Sequence, residues 1–77
     1  MEIKILGTGC PKCISLEKAA RQAVDKAKVE ATVSKVEDIL KIMQYGVMVT
    51  PALVVDGEVV VQGRVAGVEE IMNIINK

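Results

Sequence analysis

Two cysteines are the residues of this chain best suited to covalent chemistry, and they lie in the run Cys10-Pro11-Lys12-Cys13. The thiolate is the reactive form of cysteine, and the start of a helix lowers a thiol pKa from about 8.5. Pro11 suits the first turn of a helix, and Lys12 places a positive charge beside Cys10. We therefore predict that Cys10 and Cys13 are catalytic and that Pro11 and Lys12 tune their pKa. An ordinary exposed position is the alternative for Lys12.

Metal binding is the second chemistry that this pair of thiols could support. A structural zinc site usually takes four ligands, whereas the chain has two cysteines and no histidine. The alternative that stays open is a dithiol carrier that binds Cu(I), or zinc shared between two copies, without turnover. We predict redox chemistry with no metal and no other cofactor.

Composition limits the classes of partner. The 77 residues carry ten basic and ten acidic side chains, with one Tyr and no Phe or Trp. A nucleic-acid partner is not expected, because phosphate contacts need clustered Lys and Arg, and bases stack on aromatic rings. The longest apolar stretch, residues 47–55, is far shorter than the roughly 20 residues of a membrane helix. We predict one cytoplasmic domain over residues 1–77, with no membrane association and no targeting segment.

The elements that must position the dithiol follow from hydrophobic spacing. Residues 1–6 and 29–36 alternate as strands do, and the stretch between them has the apolar spacing of a helix. Asp38 is placed to cap a short helix that ends near Gln44. Asp56-Gly57 predicts a hairpin between two valine-rich runs, and a last helix follows Gly67. The apolar residues expected to face the core from the three helices are Leu16, Ala20, Ala23, Ala27, Ile39, Leu40, Ile42, Met43, Val68, Ile71, Met72 and Ile75.

These elements predict an α/β fold of order β-α-β-α-β-β-α, a four-stranded mixed sheet flanked by helices. The first two strands are expected to be parallel and the last two antiparallel. The unbroken apolar runs 53–55 and 59–61 predict strands covered on both faces. Met43, Met48 and Met72 are expected to fill gaps in an aliphatic core.

Three features together resemble a known family. Cys10-Pro11-Lys12-Cys13 follows the first strand, Thr50-Pro51 precedes the third, and Gly63 follows the fourth. This arrangement resembles the thioredoxin-like fold, and most closely the small thioredoxin/glutaredoxin-like redox proteins of prokaryotes. The resemblance implies that Pro51 is cis and lies against the dithiol. It also implies that the backbone of Thr50 pairs with an extended substrate segment and that Gly63 lines the same groove.

The function implied by the resemblance is thiol–disulfide oxidoreduction. Cys10 and Cys13 would reduce protein disulfides by dithiol exchange, so the expected substrates are disulfide-containing proteins. A thioredoxin-reductase-type electron donor would restore the dithiol. The expected state is a monomer.

Overall fold

The computed structural model describes residues 1–9 and 11–76, so Cys10 and Lys77 lie outside the described part. Four strands and three helices follow one another in the predicted order. Their bounds are β1 Glu2–Leu6, α1 Pro11–Ala27, β2 Thr32–Val36, α2 Ile39–Gln44, β3 Ala52–Val55, β4 Glu58–Gln62 and α3 Val68–Ile75.

The four strands form one mixed sheet in the order β2-β1-β3-β4. β1 runs parallel to β2 and antiparallel to β3, and β3 runs antiparallel to β4. The parallel pair requires a crossover, and α1 supplies it. The predicted fold class is therefore confirmed. No helix in the described residues is long and apolar enough to cross a membrane.

The hairpin between β3 and β4 has the backbone that Asp-Gly favours. Asp56 has a φ of 50° and Gly57 a φ of 83°, and a type I′ turn needs positive φ at both positions. The ladder is irregular, because Leu53 pairs with Val61 while the next residue, Val54, pairs with Val59. Val60 is thus the extra residue of a β-bulge, a feature that bends the strand carrying it.

The second strand is shorter than its pattern predicted, starting at Thr32 rather than Val29. Lys28, with a φ of 53°, ends the turn after α1, and its N–H donates to the Asp25 carbonyl at 3.3 Å. Val29 and Ala31 still pack against the core. Their apolar character therefore reflects burial beneath the chain reversal rather than strand pairing.

The larger core lies on the face of the sheet covered by α1 and α3. Alternation along β1 directs Ile3 and Ile5 to this face, where they meet Leu16 of α1 and Ile71 of α3. The α1 positions facing this core include Ala20 and Ala23, both without exposed surface, and such small side chains let the helix lie close to the sheet. The opposite face carries a smaller cluster of Leu6, Ile42, Val47, Ala52 and Val54.

Several burial predictions for α2 and its loop were wrong. Only Ile42 of this helix is buried, whereas Ile39, Leu40 and Met43 are 61%, 70% and 63% exposed. Met48 is 92% exposed, so neither it nor Met43 fills a gap in the core. A helix of six residues turns less than twice, and only one of its sides can face the sheet.

Met72 and the third strand behave as predicted, whereas the fourth strand does not. Met72 packs against the larger core. Leu53 and Val54 are fully buried in the central strand β3. Val59 and Val60 are only half-buried, because β4 is an edge strand that lacks a neighbour on one side.

Candidate functional site

Cys13 lies in the first turn of α1, which begins at Pro11. Its side chain is buried, at 4% exposure, while Pro11 and Lys12 are exposed to solvent. The first backbone N–H groups of a helix lack intrahelical acceptors and favour a nearby negative charge. No acidic side chain occupies the first turn to compete for that charge. Cys10, the other half of the predicted dithiol, precedes Pro11 directly and lies outside the described residues.

Gly7 lies directly against the side chain of Cys13. It is buried at the end of β1, and its N–H donates to the Val36 carbonyl at 3.0 Å. A Cβ at this position would collide with Cys13 Sγ and would lie 3.0 Å from Cys13 Cβ. Glycine is therefore required here for space, and its missing side chain lets α1 start close against the sheet.

The Thr50–Pro51 segment reaches the same edge through the sheet register. Leu6 pairs with Ala52, and the strands are antiparallel, so Gly7 and Pro51 lie side by side at the end of the ladder. The Thr50–Pro51 peptide bond is cis. Pro51 is fully buried, whereas Thr50 is exposed.

Gly63 completes this edge on the other side of Pro51. Ala52 pairs with Gln62, and the N–H of Gly63 donates to the Pro51 carbonyl at 2.9 Å. Gly63 has a φ of +78°, and a Cβ there would lie 3.2 Å from Cγ1 of Val49. Both the backbone conformation and the close approach favour glycine. Residues 49–51 together with Gly63 are called the Pro51 edge below.

The structure thus brings together all three predicted substrate-binding residues, which lie next to Gly7 and Cys13: Thr50, Pro51 and Gly63. The buried Cys13 side chain, the start of α1 and the exposed residue Thr50 lie at one end of the sheet. Such an arrangement can stabilise a thiolate and can accept an extended peptide by backbone hydrogen bonds.

An ion pair connects the segment that follows Gly63 to α3. Arg64 donates through Nη1 to Glu70 Oε1 at 2.8 Å and through Nη2 to Glu70 Oε2 at 2.5 Å. The hydrogen bonds from Arg64 hold the pKa of the Glu70 carboxyl below its usual value, and Glu70 raises the pKa of Arg64. This two-pronged geometry is the strong form of an Arg–carboxylate contact.

Metal binding is the alternative chemistry that the sequence leaves open. Within residues 1–9 and 11–76, no group of three or more His, Cys, Asp or Glu side chains is arranged to hold a metal ion. Nothing in this part of the chain favours the metal-carrier alternative.

Comparison with known proteins agrees with the fold and identifies the family. The sequence model of the family described as "Thioredoxin domain" matches residues 1–76. The chain belongs to the thioredoxin family. A curated thioredoxin of Methanothermobacter thermautotrophicus is 43% identical over 76 residues, which are 99% of each chain. A second, from Methanocaldococcus jannaschii, is 39% identical over 69 residues, or 90% of this chain and 79% of its own.

Two residues that lie against predicted residues of this site, Gly7 and Val49, are not predicted from the sequence. For Gly7, a sequence pattern does not distinguish a glycine needed for φ from one needed for space. Val49 packs against the position where Gly63 would carry a side chain, and its place directly before Thr50-Pro51 was the only signal.

Proposed function

We propose that the protein is a thiol–disulfide oxidoreductase that reduces protein disulfides by dithiol exchange through Cys10 and Cys13. The observation that carries the proposal is the burial of Cys13 in the first turn of α1, against Gly7 and beside the Pro51 edge. A thiol in that position is poorly accessible to a bulky substrate but is suited to resolving a disulfide formed by Cys10, three residues earlier in the chain. We therefore assign the attack to Cys10 and the resolving step to Cys13.

The exchange proceeds in two displacements. The Cys10 thiolate attacks one sulfur of the substrate disulfide, forming a mixed disulfide and releasing the other substrate sulfur as a thiolate. The Cys13 thiolate then attacks Cys10 Sγ, forms the Cys10–Cys13 disulfide and releases the second substrate sulfur. The substrate gains two electrons and two protons, and the protein dithiol loses both.

The residues around the dithiol have supporting roles. Pro11 opens α1. In this proposal the positive charge of Lys12, which is exposed, favours the thiolate form of the attacking cysteine. In this proposal the backbone of Thr50 forms hydrogen bonds with an extended substrate segment. Pro51 and Gly63 line the groove that receives this segment.

The partners follow from the chemistry. Each turnover leaves an oxidised protein, so a thioredoxin-reductase-type donor must supply two electrons per cycle. Disulfide-bearing proteins are the substrates, and the reducing cytoplasm is the compartment in which an active dithiol of this kind persists. One chain over residues 1–77 carries the complete set of groups, so we propose a single domain that acts as a monomer.

The test is covalent trapping with single-cysteine variants. Cys13→Ser retains the attacking thiol but does not resolve the intermediate, so it should accumulate a mixed disulfide with a disulfide-bearing protein. Cys10→Ser should trap little or none under the same conditions. Non-reducing electrophoresis measures both, and addition of dithiothreitol must release the trapped partner.

A turnover assay provides the second half of the test. The wild-type protein, at a concentration well below that of its substrate, should accelerate dithiothreitol-driven reduction of a protein disulfide, and both serine variants should abolish the acceleration. Trapping by Cys10→Ser alone would reverse the two roles. Absence of any acceleration by wild-type protein would refute the reductase proposal.

A further inference from the structure

The ion pair between Arg64 and Glu70 lies across the segment that connects β4 to α3. Residues 63–67 connect β4 to α3 and contain a glycine at each end. Ala66 is fully buried, whereas Val65 is 38% exposed. Glycines lose the most backbone freedom on ordering, so such a segment needs anchoring if its conformation is to be fixed.

The two residues of this ion pair belong to, or directly follow, parts of the chain that packing or hydrogen bonds hold in place. Glu70 belongs to α3, which buries Ile71 and Ile75 in the larger core. Arg64 directly follows Gly63, whose N–H donates to the Pro51 carbonyl at 2.9 Å. The pair therefore links a core helix to the backbone of the Pro51 edge through a single peptide unit.

We propose that Arg64 and Glu70 are positioning residues that hold Gly63 in place beside Pro51 and so set the affinity for protein substrates. This inference rests on the proposed function, because the Pro51 edge is the surface that receives the extended substrate segment. Neither side chain takes part in sulfur exchange. Their effect is on binding of a peptide backbone, which requires the edge to be ordered before the substrate arrives.

A second arginine–glutamate pair, on α1, serves as the comparison: its glutamate, Glu17, is 16% exposed against 42% for Glu70 and also lies 3.8 Å from Lys35. Arg21 donates to Glu17 at 2.9 Å along α1, and the Arg21 side chain is 55% exposed, the same fraction as that of Arg64. Both pairs join an arginine to a glutamate on a helix. Only the Arg64–Glu70 pair is connected to the Pro51 edge.

The experiment compares Glu70→Gln and Glu17→Gln with wild type on two substrates, a protein disulfide and a small aromatic disulfide. For Glu70→Gln we expect a rise in KM for the protein substrate of about two- to five-fold, the range that an exposed ion pair supports. We expect kcat, and the rate with the small disulfide, to stay at the wild-type values. Glu17→Gln should match wild type on both substrates.

Charge-reversed variants and measurements at high salt test whether the effect on KM comes from the ion pair. The double variant Arg64→Glu/Glu70→Arg should restore KM toward the wild-type value, whereas Arg64→Glu alone should raise it. In 1 M salt the difference between wild type and Glu70→Gln should shrink, because exposed charges are screened. An unchanged KM in Glu70→Gln, an equal loss on the small disulfide, or failure of the reversed pair to restore KM would each overturn the proposal.

A readout without turnover separates this proposal from the proposed function. Amide hydrogen exchange at the Gly63 N–H should accelerate about two- to five-fold in Glu70→Gln and should be unchanged in Glu17→Gln. If wild-type protein reduces no disulfide, the reductase proposal fails while the exchange measurement still tests the positioning. If Gly63 exchanges at the same rate in wild type and Glu70→Gln, the positioning fails regardless of activity.

Discussion

The two faces of the sheet are covered to very different extents. One face lies beneath α1 and α3, of 17 and eight residues, and holds the larger core. The other lies beneath α2, of six residues, and holds five buried side chains. On the first face the helices bury their apolar stripes, whereas α2 leaves three of its four large apolar residues at the surface.

The difference matters for the candidate site because its residues come from elements on both faces of the sheet. Cys13 is held by α1 from the well-covered face, while the chain that leads to Thr50 and Pro51 comes from α2 on the thinly covered one. Cys13 is thus held by a long packed helix. The Pro51 edge depends on a short helix, a loop and local hydrogen bonds, so we expect it to be easier to perturb.

The largest expected effect compares one leucine from each face. Leu16 has no exposed surface and Leu40 is 70% exposed. Leu16→Ala should lower the free energy of unfolding by about 2–5 kcal/mol, because it removes buried surface and leaves a cavity. Leu40→Ala should change it by no more than about 0.5 kcal/mol. Urea unfolding measures both, and equal losses would refute the difference between the faces.

Helix length also explains which burial patterns the sequence could predict. In α1 the apolar positions recur over several turns, so Leu16, Ala20 and Ala23 define a stripe that burial bears out. In α2 four of the six residues are apolar, and so short a segment shows no period that would separate Ile42 from its neighbours. The element was predictable from Asp38, but the side of the helix that faces the sheet was not.

The Arg64–Glu70 ion pair and the close contact at Gly7 were less predictable from the sequence than the burial of the helices. The Arg64–Glu70 pair spans six residues and the start of a helix, a separation with no regular geometry of its own. The requirement for glycine at position 7 arises from Cys13, which another element brings against it. Both contacts depend on how α1 and α3 dock on the sheet, and no local pattern encodes that.

The second prediction tests how tightly α1 packs where the site begins. Gly7→Ala should destabilise the protein by about 1–3 kcal/mol, because the added Cβ overlaps Cys13 and something must shift. Gly67→Ala is the control, since Gly67 has a φ of −73° and no atom near the added Cβ. Its loss of the N-cap glycine should cost about 1 kcal/mol or less.

Thermal or urea unfolding of the two alanine variants provides the comparison. We also expect slower disulfide exchange in Gly7→Ala alone, because displacement of Cys13 changes its distance to the attacking thiol. A Gly7→Ala variant as stable as Gly67→Ala would mean that α1 can move away from β1 without cost. The contrast between a firmly held Cys13 and a more easily perturbed Pro51 edge would then be wrong.

The smallest effect concerns how α2 is held on the thinly covered face. Asp38 is its N-cap, and the side chain accepts a hydrogen bond from the Leu40 N–H at 2.9 Å. A helix that buries only Ile42 gains little from packing, so its cap should provide a large share of its local stability. Asp38→Ala should lower the free energy of unfolding by about 1 kcal/mol.

Asp38→Asn is the matched control, because asparagine also caps and should leave stability close to wild type. Amide exchange should locate the effect, with the Leu40 N–H exchanging faster in Asp38→Ala than in Asp38→Asn, and with amides of α1 unchanged in both. If alanine and asparagine lower stability equally, the carboxylate charge rather than the cap stabilises α2. If neither variant changes exchange at Leu40, α2 is held by its packing. The thinly covered face would then resist perturbation as the well-covered one does, contrary to the contrast drawn between them.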